Sequence, residues 1–187
     1  ALPDPTEIVT EFSNMNALTV STGSGVDTVT LIDAPDSTVA TLTINLGDNS
    51  DVDGQDVAVI QDLSATTIIN GEGGSDDIQI VGSAPNATLI VNAGDGDDTI
   101  DLRTAASGMS ITINGDGDDD TITVAGKQIP FGVNPVVNGG SGTDYLRLDP
   151  EDDDITSQEY TFNTTTRIFS AETGSYGNVT WDSALEF

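Results

Sequence analysis

A nine-residue frame recurs six times along the chain, starting at positions 21, 45, 70, 92, 114 and 138, so that successive starts differ by 24, 25, 22, 22 and 24. The clearest copies are Asn70–Ile78 (NGEGGSDDI), Asn92–Ile100 (NAGDGDDTI), Asn114–Ile122 (NGDGDDDTI) and Asn138–Leu146 (NGGSGTDYL), with weaker ones at Ser21–Val29 and Asn45–Asp53. A unit this short cannot bury an apolar face alone, so successive units must stack. Three columns define the frame. The residue before its start is Val20, Ile44, Ile69, Val91, Ile113 or Val137. Six residues after its start stands Asp27, Asp51, Asp76, Asp98, Asp120 or Asp144. Eight residues after comes Val29, Ile78, Ile100, Ile122 or Leu146, with Asp53 as the exception.

Each copy reads as strand, tight glycine turn, strand. First strands are expected at Leu18–Val20, Leu42–Ile44, Leu89–Val91 and Ile111–Ile113, and second strands at Thr28–Leu31, Ile78–Ile80, Thr99–Leu102 and Thr121–Val124. Alternations such as Ile111-Thr-Ile113 have period two, which turns one face inward. Helical periodicity is absent. The expected fold is all-β: a parallel β-helix (β-solenoid) over residues 1–148, built from six coils of roughly 22–25 residues each. The segments Asp33–Ala40, Gly82–Thr88, Arg103–Ser110 and Ala125–Pro135 vary most and should form its outer, variable side. From residue 149 the character changes to an acidic run, Glu151 to Asp154, followed by six of the nine aromatics. Tyr160-Thr-Phe162 and Val179-Thr-Trp181 are expected to be strands of an antiparallel cap, or the link to a following module.

Charge narrows the function. The chain carries 32 acidic and 4 basic side chains, hence −28, with 25 Asp against 7 Glu and 20 Gly. Only Arg103, Lys127, Arg147 and Arg167 could neutralise phosphates, so neither nucleic acid nor an anionic membrane surface is an expected partner. No apolar run is long enough to span a bilayer. The start, Ala-Leu-Pro-Asp-Pro, shows no initiator Met and no signal core, so a processed or excised chain is expected. Without Cys or His there is no disulfide, thiolate or imidazole, and a metal site must be all oxygen. Asp and Gly together are turn formers, because Asp bonds its own backbone and Gly accepts positive φ.

Stacking turns the Asp column into a ladder with rungs ~4.8 Å apart. At that distance neighbouring carboxylates repel by ~3.5 kcal/mol at an effective dielectric of 20. Several such terms exceed a folding stability of ~5–15 kcal/mol. Either the carboxylates splay into water or cations bind between coils. Candidate ligands are Asp76 and Asp77, then Asp95, Asp97 and Asp98, then Asp116, Asp118, Asp119 and Asp120, and finally Asp144. Glycine turns leave carbonyls free at the same edge, and a mixed carbonyl–carboxylate cage suits Ca²⁺. Asn45, Asn70, Asn92, Asn114 and Asn138 are expected to stack as an amide ladder rather than to ligate.

The segment Ala93–Asp101 (AGDGDDTID) resembles the RTX nonapeptide, and Gly139–Arg147 (GGSGTDYLR) fits its glycine, aspartate and apolar positions fully. The resemblance implies Ca²⁺ held between coils, with Asp98 and Asp144 as side-chain ligands and Gly94, Gly96, Gly140 and Gly142 supplying backbone. Asp76 and Asp120 share the column, with their glycines displaced by one (Gly71, Gly73; Gly115, Gly117). One motif per coil, rather than one every nine residues, is similar to the one-sided Gly-Asp-rich β-helix repeats of large bacterial secreted and surface proteins. The function expected is a non-enzymatic, calcium-binding, extracellular structural or adhesive module. Its partners would be calcium, neighbouring modules, or a surface or polysaccharide ligand. The alternative is a carbohydrate-active β-helix enzyme, a glycosidase or lyase, for which paired Asp are plentiful but bases are few. Thr-x-Thr occurs at Thr28–Thr30, Thr41–Thr43 and Thr121–Thr123, which the frame does not put in one column, so a flat threonine array is not expected.

Overall fold

β-branched and apolar residues at every second position, broken by Gly-Asp turns, give the chain strands and no helix among the described residues. The computed structural model describes residues 15–33, 39–48, 55–125, 129–130 and 132–149, and the backbone of 160–163, 168–171, 179–181 and 185–186. The strands are β1 (Ala17–Ser21), β2 (Thr28–Leu31), β3 (Thr41–Asn45), β4 (Gln55–Ile60), β5 (Thr66–Asn70), β6 (Ser75–Ile80), β7 (Thr88–Asp95), β8 (Thr99–Leu102), β9 (Ser110–Gly117), β10 (Thr121–Ala125), β11 (Val136–Ser141), β12 (Asp144–Asp149), β13 (Tyr160–Asn163), β14 (Ile168–Ala171), β15 (Val179–Trp181) and β16 (Leu185–Glu186).

Odd and even strands separate into two sheets. One runs β1-β3-β5-β7-β9-β11-β15-β14-β13, the other β16-β12-β10-β8-β6-β4-β2. From β1 through β12 every pairing is parallel, so the chain is a β-solenoid: six strand pairs joined by five stacking steps. Inward residues of both sheets form one continuous core, including Leu42, Ile44, Ile69, Ile78, Ile80, Leu89, Ile100, Ile113 and Ile122, each almost fully buried. Beyond the sixth pair, β13, β14 and β15 pair antiparallel, as the two aromatic segments suggest. β15 also lies parallel to β11, and β16 parallel to β12, so each sheet gains one further parallel strand, beyond which the first continues antiparallel through β14 and β13.

The register departs from the nine-residue frame in the second coil. Asn45 aligns with Asn70 as expected, but Asp56, not Asp51, aligns with Asp76. Asn45 to Asp56 spans 11 positions and Asn70 to Asp76 spans 6, so this turn carries five extra residues (11 − 6). Asp51 lies outside the described residues. With the insertion allowed for, Ala58 fills the apolar position that Asp53 appeared to violate.

Turn backbone is the same in coils whose glycines differ. Two and four residues after the frame start, φ is positive at Gly23 and Gly25, Glu72 and Gly74, Gly94 and Gly96, Asp116 and Asp118, and Gly140 and Gly142. The displaced glycines of the third and fifth coils therefore do not move the turn. Glu72, Asp116 and Asp118 adopt left-handed conformations instead, which Asp tolerates better than most residues. Replacing Asp118 with Gly should raise stability by about 1 kcal/mol in denaturant melting. Gly142→Ala should lower it by more, because the added Cβ overlaps the Asp118 carbonyl in the coil below. Equal effects of the two changes would show that these turns are not held in this conformation.

Candidate functional site

Asp27, Asp56, Asp76, Asp98, Asp120 and Asp144 stand in one column at the entry to the second sheet, each opening the pattern Asp-x-apolar-x-apolar. Alternation after Asp27, Asp56, Asp76, Asp98 and Asp120 puts residues two and four further on against the core, as it puts Leu146 after Asp144, so the Asp itself also points inward. Asp56, Asp76, Asp120 and Asp144 are fully buried and Asp98 is 2% exposed. Neither splaying into water nor exposure at a turn edge describes them.

A directional hydrogen-bond ladder holds the column. The Asp27 amide donates to Asp56 Oδ1 at 2.7 Å, the Asp76 amide to Asp98 Oδ1 at 2.7 Å, the Asp98 amide to Asp120 Oδ1 at 2.9 Å and the Asp120 amide to Asp144 Oδ1 at 3.0 Å. At Asp76 the ladder is broken: the Asp56 amide lies near enough to favour its ionised form, but neither carboxylate oxygen completes a hydrogen bond. All six Oδ2 atoms are buried without a donor. An unpartnered buried carboxylate oxygen is costly, and here the cost recurs coil after coil.

At Asp76 and Asp120 a backbone carbonyl, not a donor, stands across from Oδ2. Gly71, Gly115 and Gly139, one residue after the frame start, leave the space. A Cβ at Gly71 would overlap both Asp76 Oδ2 and the Ala93 carbonyl, and one at Gly115 would overlap both Asp120 Oδ2 and the Gly139 carbonyl. Two acceptors from successive coils thus flank the same small gap. A proton on the carboxyl, a cation, or a water donating to both acceptors can make that contact favourable, and of these the proton or cation also removes the charge repulsion along the column.

Electrostatics agree with the geometry. Burial pushes the Asp98 carboxyl up to about 8; the Asp76 amide opposes this, and the Asp76, Asp120 and Asp97 charges add to it. Burial raises Asp120 to about 7 against the Asp98 amide, with Asp144, Asp97 and Asp116 adding. Burial and the Asp56 charge raise Asp76 to about 7, against the Asp56 amide.

A second ladder lies one residue earlier and runs the opposite way. The Asp119 amide donates down to Asp97 Oδ1 at 3.0 Å and the Thr143 amide down to Asp119 Oδ1 at 2.8 Å, all in the exposed turn. Asp95, Asp116 and Asp118 project from the same exposed edge, and Gly94, Gly96, Gly140 and Gly142 carry its positive-φ backbone. Asp77 is elsewhere: it follows the ladder onto the outer face of β6 and accepts from Gln79 Nε2 at 3.2 and 3.1 Å. The expected ligands therefore divide among an inner ladder, an outer turn edge and a sheet face. Among the described residues no three carboxylates converge into a ready-made cage. The Asn column does form an amide ladder: Asn70, Asn92, Asn114 and Asn138 each donate Nδ2 to the preceding Asn Oδ1 at 2.7–2.9 Å, and Asn45 donates to Ser21 Oγ at 3.1 Å. Asp56 is the ladder residue that the Asn-anchored frame missed. Anchoring on Asp-x-apolar-x-apolar instead would have found Asp56-Val-Ala-Val-Ile60.

Compared with known proteins, the chain matches no family model, no curated protein and no solved structure.

Raised carboxyl values fix the sign of a pH effect in chelator. The folded chain holds protons that the unfolded chain releases near pH 4, so these groups stabilise the fold fully below that pH. The contribution falls as pH rises from about 4 through the folded values of about 7 to 8. Unfolding free energies from urea melts in chelator should therefore drop between pH 5 and 8, by at most about 1.4 kcal/mol per pH unit for each group. A flat or rising profile would mean that these carboxyls are ionised without cost.

Proposed function

We propose that the chain is a calcium-stabilised structural repeat module of an extracellular protein, with Ca²⁺ held along the inner Asp ladder. The observation that carries this reading is the column of six carboxylates, each with a buried, unpartnered Oδ2. Oxygen is the only donor type present, which suits a hard cation. Asp76, Asp98, Asp120 and Asp144 would supply carboxylate oxygens, and the Ala93 and Gly139 carbonyls that flank the glycine gaps would add to them. The rung repeat of a parallel sheet, about 4.8 Å, is twice a calcium–oxygen bond of about 2.4 Å. The resemblance of Gly139–Arg147 to the RTX nonapeptide points the same way.

When bound, the cation supplies positive charge that offsets repulsion along the column and joins one coil to the next. The chain's own residues then set the register: Oδ1 of Asp98, Asp120 and Asp144 each takes an amide from the coil below, leaving Oδ2 for the ion. Weak sites of this kind fill in millimolar extracellular calcium and stay empty at cytosolic levels, which couples rigidity to location outside the cell. A module stiffened in this way suits a spacer or an adhesive stalk.

Melting with calcium and with chelator tests the proposal. Saturation at 100 times Kd should stabilise the fold by about 2.7 kcal/mol per site. Asp98→Asn with Asp120→Asn separates an ion site from a turn ladder. At Asp120 the amide can donate to the Gly139 carbonyl across the gap beside Gly115, and at both positions it removes a buried charge, so the metal-free melt should rise while the calcium-induced shift shrinks. An identical melt in calcium and chelator would sink the reading.

A further inference from the structure

From the strand starts up to the Asn ladder, the outer face of the first sheet carries no charged residue on β1, β3, β5, β7, β9 or the paired start of β11, in a chain of net charge −28. Its side chains fall into three columns. Thr41, Thr66, Thr88 and Ser110 are in register; so are Thr43, Ile68, Ile90 and Thr112, extended by Thr19 and Val136 at the two ends; the third is the Asn ladder. Thr-x-Thr itself does not recur in one column, as expected, but the columns it belongs to stay hydroxyl or β-branched. Thr28–Thr30 and Thr121–Thr123 belong to the other sheet, whereas Thr41–Thr43 aligns with Thr66-x-Ile68, Thr88-x-Ile90 and Ser110-x-Thr112.

The result is a two-dimensional lattice, with repeats of about 4.8 Å across strands and about 6.7 Å along them. Threonine and isoleucine are stiff at χ1, so hydroxyls and methyls hold their positions. Among the described residues, no side-chain hydroxyl of Thr41, Thr43, Thr66, Thr88, Ser110 or Thr112 enters a hydrogen bond. Each ladder Asn uses one amide hydrogen along its column and keeps the other.

We propose that this face binds ice. The occupant follows from what the face lacks as well as from what it repeats. It has no aromatic residue on which a sugar ring could stack. Its extent, about 24 Å by 13 Å or roughly 300 Å², is well short of the ~800 Å² per partner of a stable protein interface. Its charge-free, rigid rows of hydroxyl, methyl and amide groups match a partner that is itself a periodic array of hydrogen-bonding oxygens, as the surface of an ice crystal is. Such a surface adds contact along both lattice directions, which gives collective strength to individually weak contacts. The proposal is independent of where the cation sits, since the register of these columns belongs to the sheet.

The test is partition of the full chain, in calcium buffer and with its fold verified by circular dichroism, between slowly growing ice and the remaining liquid. The chain should enrich in ice and alter crystal habit, whereas an inert protein is excluded. Thr66→Tyr with Thr88→Tyr should cut incorporation about tenfold, a loss of about 1.4 kcal/mol. Thr99→Tyr with Thr121→Tyr, on the other sheet, should leave it unchanged. Should the tyrosine pair on the first sheet fail to fold, Thr66→Val with Thr88→Val removes the hydroxyls at nearly constant volume and should also lower incorporation. Exclusion of the unmodified chain from ice would overturn the proposal, and adsorption to an insoluble glucan alongside that exclusion would assign the face to polysaccharide. Equal incorporation of the folded first-sheet variants and the second-sheet control would overturn it too.

Discussion

Vertical repetition at one sheet spacing governs this molecule. In a parallel solenoid any residue that recurs with the period meets its own copy one rung away, so each column becomes a test of whether a side chain tolerates itself. Isoleucine and valine pass by packing, and asparagine passes by donating Nδ2 to the next Oδ1. Aspartate passes only by halves. Oδ1 is satisfied by an amide in four of the five steps, while Oδ2 is buried without a donor and, at Asp76 and Asp120, stands across a gap from a carbonyl. The unmet hydrogen-bonding capacity of Oδ2 is therefore a consequence of the fold's periodicity and of no single residue.

Two ladders one residue apart have opposite directions and opposite environments. Consecutive backbone amides at the turn exit point to opposite coils. The exposed carboxylates of Asp97 and Asp119 receive amides from the coil above, and the buried ones of Asp98, Asp120 and Asp144 from the coil below. Water screens the outer set but not the inner one. The strongly raised carboxyls accordingly belong to the inner ladder, although both ladders are built from the same residue type at the same rung spacing.

Much of this was legible before the fold was known. A short, regular period with apolar alternation leaves little except a parallel solenoid, and the Asn column announced its ladder. What the sequence concealed was orientation. Asp beside Gly reads as a solvent turn, and the pattern that buries it, the apolar alternation beginning with Asp itself, overlaps the turn signature. The five-residue insertion before Asp56 shifted the second coil's frame, because Asn45 keeps register in one sheet while the other sheet slips relative to it. The outer face was hidden for a similar reason: Thr-x-Thr is conspicuous as text, whereas Thr66-x-Ile68 and Thr88-x-Ile90 become equivalent to it only through strand pairing.

The Asn column links the two surfaces. Asn45, Asn70, Asn92, Asn114 and Asn138 close the charge-free part of the first sheet and begin the turns that lead to the Asp ladder. A change in rung spacing at the turn must therefore pass into the columns of Thr and Ile through the backbone and the amide bonds of that ladder. A cation held between successive Asp side chains would fix the spacing where repulsion would otherwise widen it, and the charge-free face would inherit the regularity. Among the described residues the same period thus sets carboxylates in one column and uncharged hydroxyl, methyl and amide groups in others, so the acidic edge and the charge-free face are two parts of the same arrangement.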